Sequence, residues 1–180
     1  MKTRFLTTVC ALLTLAVLPG GCSAGAEKAP KKEVGIQLYS VRSLIGAFGN
    51  NQEDYKPVLK QLADMGYTSV EAASYKDGKI YGQTPEQFRK DVEEAGMKVL
   101  STHCTINLSD EELAAGDFSK ALAWWDECIA AHKAAGAEYI VVPSMRKVST
   151  LEELATYCRY FNEVGARCKA AGLKFGYHNH

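Results

Sequence analysis

The stretch Gly172-Leu173-Lys174-Phe175-Gly176-Tyr177-His178-Asn179-His180 joins a helix-stopping glycine, a β-rich apolar run and a polar end. Read as a strand, its period of two puts Gly176, His178 and His180 on one face and Phe175, Tyr177 and Asn179 on the other. A small residue followed by two imidazoles suits an inward face that opens into a polar mouth.

The same pattern stands elsewhere in the chain. Gly66-Tyr67-Thr68-Ser69-Val70-Glu71, Gly96-Met97-Lys98-Val99-Leu100-Ser101-Thr102-His103 and Gly136-Ala137-Glu138-Tyr139-Ile140-Val141-Val142-Pro143 each follow a helical pattern. Gly35-Ile36-Gln37-Leu38-Tyr39-Ser40 opens the series. From the second onward the units recur every 30 to 40 residues, the length of a βα unit. The glycines sit where a left-handed residue is needed to end a helix. Thr84-Pro85-Glu86-Gln87 and Thr150 with Glu153 are helix starts, and Tyr55, Leu59 and Leu62 mark one apolar helix face.

Five strands alternating with four helices imply a parallel sheet with right-handed crossovers. Two architectures satisfy this: an open doubly wound sheet, or the first five strands of an eight-stranded barrel. Ser40-Val41-Arg42-Ser43 after the first strand is not a glycine-rich phosphate turn, which removes most support for a dinucleotide-binding sheet.

The N-terminus reads differently. Met1-Lys2-Thr3-Arg4, the apolar run Phe5 to Leu18 and Gly20-Gly21-Cys22 have the form of a secretory signal over residues 1–21. Gly20-Gly21-Cys22 resembles a bacterial lipoprotein cleavage site, with Cys22 as the lipidated first residue, although Pro19 and Leu18 depart from the usual pattern. Residues 22–33 are small and charged and read as a flexible tether, and the fold is expected over 34–180. The expectation is an exported lipoprotein, anchored on the periplasmic or outer-membrane side through its lipid. Lys plus Arg equals Asp plus Glu at 21 each, and removal of Lys2 and Arg4 with the signal leaves a net charge near −2. That balance argues against a nucleic-acid partner.

Cys104, Cys128, Cys158 and Cys168 show no Cys-x-x-Cys spacing and read as small apolar residues rather than as a disulfide framework. Cys158 and Cys168 lie ten residues apart on one helix, too far to bridge. His132, in a helical run, reads as a surface residue. Of Trp124 and Trp125, only one can face the core, and their helix is expected to face away from the mouth, which disfavours a sugar-stacking role.

In parallel α/β folds chemistry collects at the C-terminal strand ends, here Gln37, Tyr39, Glu71, His103, Pro143, Ser144, His178, Asn179 and His180. A solvated Glu71 and an isolated strand-end His103 are the plain alternatives. Adjacent His103 and Cys104 point opposite ways, and two imidazoles, His178 and His180, do not by themselves make a metal site.

Phe161-Asn162-Glu163-Val164-Gly165 and Lys169 to His180, with Gly35 to Arg42 and Ser101-Thr102-His103, resemble the sugar phosphate isomerase/epimerase family with its xylose-isomerase-like TIM barrel. The resemblance runs in order over 34–180. It implies a partial (β/α)8 barrel, a divalent metal (Mn, Zn or Mg) at the mouth, and proton transfer beside the carbonyl of a sugar or keto-sugar. It implies His178 as metal ligand, His103 and Glu71 as catalytic groups, and Gln37, Tyr39 and His180 as substrate contacts. Strands six to eight of that family have no counterpart here. The expectation is a C-terminally truncated gene product or incomplete gene model, inactive alone and prone to self-association through open sheet edges. The alternative is a non-catalytic exported carbohydrate-binding protein or remnant.

Overall fold

The structure is a computed structural model and describes residues 32–180 apart from Glu53. The expected signal, the lipidation site at Cys22 and nearly all of the tether lie outside the described residues. No helix of the described residues is long and apolar enough to cross a membrane.

The architecture is the first five strands of a barrel with covering helices. The strands are β1 (Gly35–Gln37), β2 (Ser69–Ala72), β3 (Lys98–His103), β4 (Tyr139–Val142) and β5 (Lys174–Tyr177). They form one parallel sheet in chain order, and β1 is not paired with β5. After β1 a 3-10 turn (Leu38–Val41) runs into a single helical turn (Arg42–Ile45), and the longer helices are α1 (Lys56–Asp64), α2 (Pro85–Glu94), α3 (Asp110–Ala115), α4 (Ser119–Ala134) and α5 (Leu151–Ala170).

Local chemistry sets these boundaries. Thr84 and Thr150 cap α2 and α5 by accepting from the backbone N–H groups of Gln87 and Glu153. Gly66, Gly96, Gly136 and Gly172 all take positive φ where the chain leaves a helix. The unexpected α3 is started by a reciprocal capping box between Ser109 and Glu112. Two small hairpins were also not expected: Gly46–Ala47 with Asn50–Asn51, and Tyr75–Lys76 with Lys79–Ile80.

The core divides along the sheet. Leu38, Leu59, Leu62, Val70, Phe88, Val92 and Val99 fill the β1–β2 side under α1 and α2. Trp125, Ile140, Val142, Tyr160, Val164 and Cys168 fill the β4–β5 side under α4 and α5. Tyr55, beside α1, donates to Asp91 of α2 at 2.7 Å, which also accepts from Gln87 at 2.8 Å and pairs with Lys56 at 2.9 Å. A buried carboxylate is tolerated there because every lone pair that matters is occupied.

Two sequence expectations fail on this side of the sheet. His132 is not a surface residue: it is 0% exposed, covered by the Tyr75 ring at 4.7 Å from the first strand of the second hairpin. Burial holds its imidazole down at about pH 4, against the raising effect of the Cys128 carbonyl. Nor does the tryptophan pair face wholly away from the mouth. Only one of the two is central, as expected; it is Trp125, which donates to Tyr160 at 2.6 Å. Trp124 packs on Tyr75 and lines a pocket of about 120 Å³ together with His103.

Candidate active site

Register decides which side chains meet. Gln37 lies opposite Glu71, and a bulge between Val70 and Glu71 shifts the β2–β3 pairing so that Glu71 faces Ser101 rather than Leu100. Bulges re-aim side chains in this way beside functional sites. His103, two residues further along β3, points to the same side as Ser101. Val141 then pairs with both His103 and Gly176, and the absent side chain of Gly176 leaves room beneath the next inward residue, His178.

The result is a polar row on the inner face. Gln37 Nε2 donates to Glu71 Oε1 at 2.7 Å, His103 Nε2 lies 3.0 Å from the same oxygen, and Ser101 Oγ donates to Oε2. Burial by itself would raise the Glu71 carboxyl. The hydrogen bonds from His103, Gln37 and Ser101, with the charge that His103 carries when protonated, outweigh it and hold the group at about 2. Glu71 is therefore a carboxylate at any ordinary pH. The tautomer with the proton on Nε2 of His103 satisfies that carboxylate, whereas the other would set two lone pairs against each other. The 3.3 Å approach of Gln37 Nε2 to His103 Nε2 follows from both donors converging on one oxygen.

Above this row lies a cleft of about 340 Å³, within the size range of small-molecule sites. Gln37, Tyr39, His103, His178 and His180 all line it, together with Phe48, Thr105, Pro143 and Ser144. Glu71 lies beneath the cleft and reaches it through Gln37 and His103. The His178 ring meets His103 edge-on at 5.2 Å and His180 at 4.9 Å, while His180 Nε2 is held 3.2 Å from the Pro143 carbonyl.

Ser101, Thr105 and Phe48 are site residues that sequence reasoning missed. Phe48 stands at the tip of the first hairpin, 63% exposed, with its ring 5.4 Å from Tyr39. The hairpin is pinned by Phe48 N–H to the Ala73 carbonyl at 3.1 Å and by Gly49 N–H to Ser74 Oγ at 2.9 Å. Arg42 lies over the Tyr39 ring, 4.3 Å from its centroid. The Gly46-Ala47-Phe48-Gly49-Asn50-Asn51 run, with turn formers around an aromatic, was the available signal.

A metal at this mouth needs at least three converging donors. His178 has the right donor type, but both Glu71 oxygens are already engaged and His103 turns Nε2 toward Glu71. Among the described residues, the one group of three with ligand atoms within 4.8 Å of one another is Cys104, Cys128 and His132, buried behind the sheet. The described residues of the mouth do not complete a metal site.

The chain is similar to known proteins in sequence and fold. The family model described as xylose isomerase-like TIM barrel matches residues 59–180. Two solved sugar phosphate isomerase/epimerase structures from Parabacteroides distasonis ATCC 8503 resemble it. One shares 31% identity at a TM-score of 0.69, over 83% of this chain and 55% of its own. The other shares 26% at 0.67, over 88% and 55%. This chain thus spans about half the length of each. A zinc-bound IolI protein shares the fold at 12% identity and a TM-score of 0.56, over 81% of this chain and 51% of its own. No curated protein matches. With a parallel five-stranded sheet, polar groups gathered at its C-terminal ends and a family model spanning more than half of its length, this chain belongs to the xylose isomerase-like TIM barrel family.

Proposed function

We propose that this chain supplies one wall of a sugar isomerase or epimerase site, in which His103 moves a proton beside the carbonyl of a keto-sugar. The observation that carries the reading is the Gln37–Glu71–Ser101–His103 row beneath the cleft. Glu71, held at about 2, is a poor proton acceptor, so it serves as a positioning residue for His103. With Nε2 donating to Glu71, His103 offers Nδ1 as the base, and among the described residues Nδ1 has no hydrogen-bond partner. Gln37, Tyr39 and His180 are the substrate contacts, and Tyr39 with Phe48 gives an apolar wall for a sugar's C–H face. Lys and Arg are absent from the described lining, which favours an unphosphorylated sugar.

A divalent Mn, Zn or Mg ion, if held in the completed site, would polarise the substrate's oxygens. His178 would be one ligand, and the donors that complete the set are not among the described residues. Turnover by this chain alone is therefore expected to be negligible, while binding is not. The exposed Phe48–Tyr39 wall favours a second reading, carbohydrate binding without catalysis.

The test is saturable binding of unphosphorylated keto-hexoses by NMR, with solvent deuterium incorporation at the carbon beside the carbonyl as the chemical readout, with and without Mn²⁺. Binding that weakens at least tenfold in Gln37→Ala and His103→Ala is expected. Equal binding by both variants, or none by the wild type, overturns the site. Deuterium exchange by the chain alone overturns the claim that its donors are incomplete.

A further inference from the structure

Behind His103 the chain carries a second reactive cluster that the sugar chemistry does not use. Cys104 directly follows β3, where its backbone N–H is fixed to the Val141 carbonyl at 3.1 Å. Cys128 lies midway along α4, the helix that covers this part of the sheet. Their Sγ atoms are 3.1 Å apart, with Cys104 6% exposed and Cys128 0%. Two sulfurs that close, from a strand end and its covering helix, fit a covalent link better than ordinary apolar packing. A bond of ~2.0 Å needs them to approach by about 1 Å.

Metal binding is the rival use of the cluster, since His132 joins it with Nδ1 3.3 Å from Cys128 Sγ. That nitrogen is also 2.6 Å from the Cys128 carbonyl, so it carries the proton and donates to the backbone. Its lone pair is not available, and even with the other ring nitrogen the cluster offers at most three donors, fewer than the four of a structural zinc. The unpartnered atom of His132 is the other ring nitrogen, Nε2.

We propose that Cys104 and Cys128 form a disulfide that staples β3 to α4. The link forms as the chain folds, before α4 buries both thiols, by exchange with an external low-molecular-weight or protein disulfide. The Cys104 thiolate attacks one sulfur of that disulfide and releases one thiol. The Cys128 thiolate then attacks the Cys104 sulfur of the mixed disulfide and releases the second. The two protons from the cysteines end on the two released thiols, and the external disulfide is the two-electron oxidant. Burial pushes the Cys128 thiol well up, and neighbouring Cys104 adds to this, so reduced chains that have already folded react slowly. Occurrence of the link in the cell rests on the proposed export to an oxidising compartment.

The test is to refold the chain from urea in a mixture of oxidised and reduced glutathione, in a Cys158→Ser background because Cys158 is exposed. Tryptic mapping without reduction should give residues 99–120 joined to residues 121–133. The joined form should melt roughly 5–10 °C above its own dithiothreitol-reduced form, a rise expected for a loop of this length. Cys128→Ala should show no such rise relative to its own reduced form. If that variant does not fold, the wild-type peptide map decides alone. Complete alkylation of both residues, a Cys104–Cys168 link, or stoichiometric Zn²⁺ binding that blocks oxidation would each overturn the proposal.

Discussion

Replacing Glu71 by Gln separates the stabilising role of the polar row from any catalytic one. The carboxyl has an ordinary value of 4.5 and lies at about 2 in the fold. Because the folded value is the lower one, its contribution is fully present above pH 4.5 and is lost as pH falls through 2. A gap of that size corresponds to about 3 kcal/mol, at ~1.4 kcal/mol per pH unit. The side chain keeps 21% exposure, so solvent screening brings the expected contribution to about 2 kcal/mol. Urea unfolding of wild type and Glu71→Gln at pH 7, 5, 3.5 and 2.5 reads this directly. The variant should be the less stable at pH 7, and the gap should narrow by about 1.5 kcal/mol by pH 2.5. Other acidic groups titrate in both proteins and cancel in the difference. A gap that stays constant with pH refutes the argument that three donors hold the Glu71 charge.

Gly46→Ala places a methyl 1.8 Å from the Asn50 carbonyl oxygen at φ +83°, so the hairpin must shift at a cost of about 1–3 kcal/mol. Sugar binding should weaken as Phe48 leaves the cleft, while far-UV dichroism is unchanged. Tyr160→Phe removes the oxygen that accepts from Trp125 at 2.6 Å and donates to the Ile106 carbonyl at 3.0 Å. An orphaned buried indole N–H should lower stability by about 1–3 kcal/mol in urea unfolding. Metabolic labelling with a fatty acid should mark the wild type and not Cys22→Ala.

The fold was legible where the chain repeats itself. The helix-ending glycines and the apolar runs after them located β2 to β5, and the matching run after Gly35 located β1, because period and punctuation agree there. The two hairpins were not legible by period, since strands of two residues carry none, and only the turn formers around Phe48 marked the first of them. α3 had a readable signal in Ser109-Asp110-Glu111-Glu112 that went unused. Gln37, Glu71, His103 and His178 were found as strand ends, but Ser101 lies within β3 and reaches the row only through the bulge at Glu71. His132 was misread because its burial depends on Tyr75, which a hairpin invisible in the sequence carries onto α4.

The convergence of Gln37 and His103 on one oxygen of Glu71, with Ser101 on the other, reaches beyond ligand handling. β1 is three residues long and ends at Gln37, so the ladder itself offers little to prevent a slip along β2. A displacement by one residue would turn Gln37 to the opposite face and leave Glu71 one donor short. The carboxylate thus acts as an alignment gauge for three strands, and only the correct alignment satisfies it. Selection for the proposed sugar site at this point would also be selection for correct strand assembly, so substitutions there should lower the yield of folded protein as well as its sugar binding.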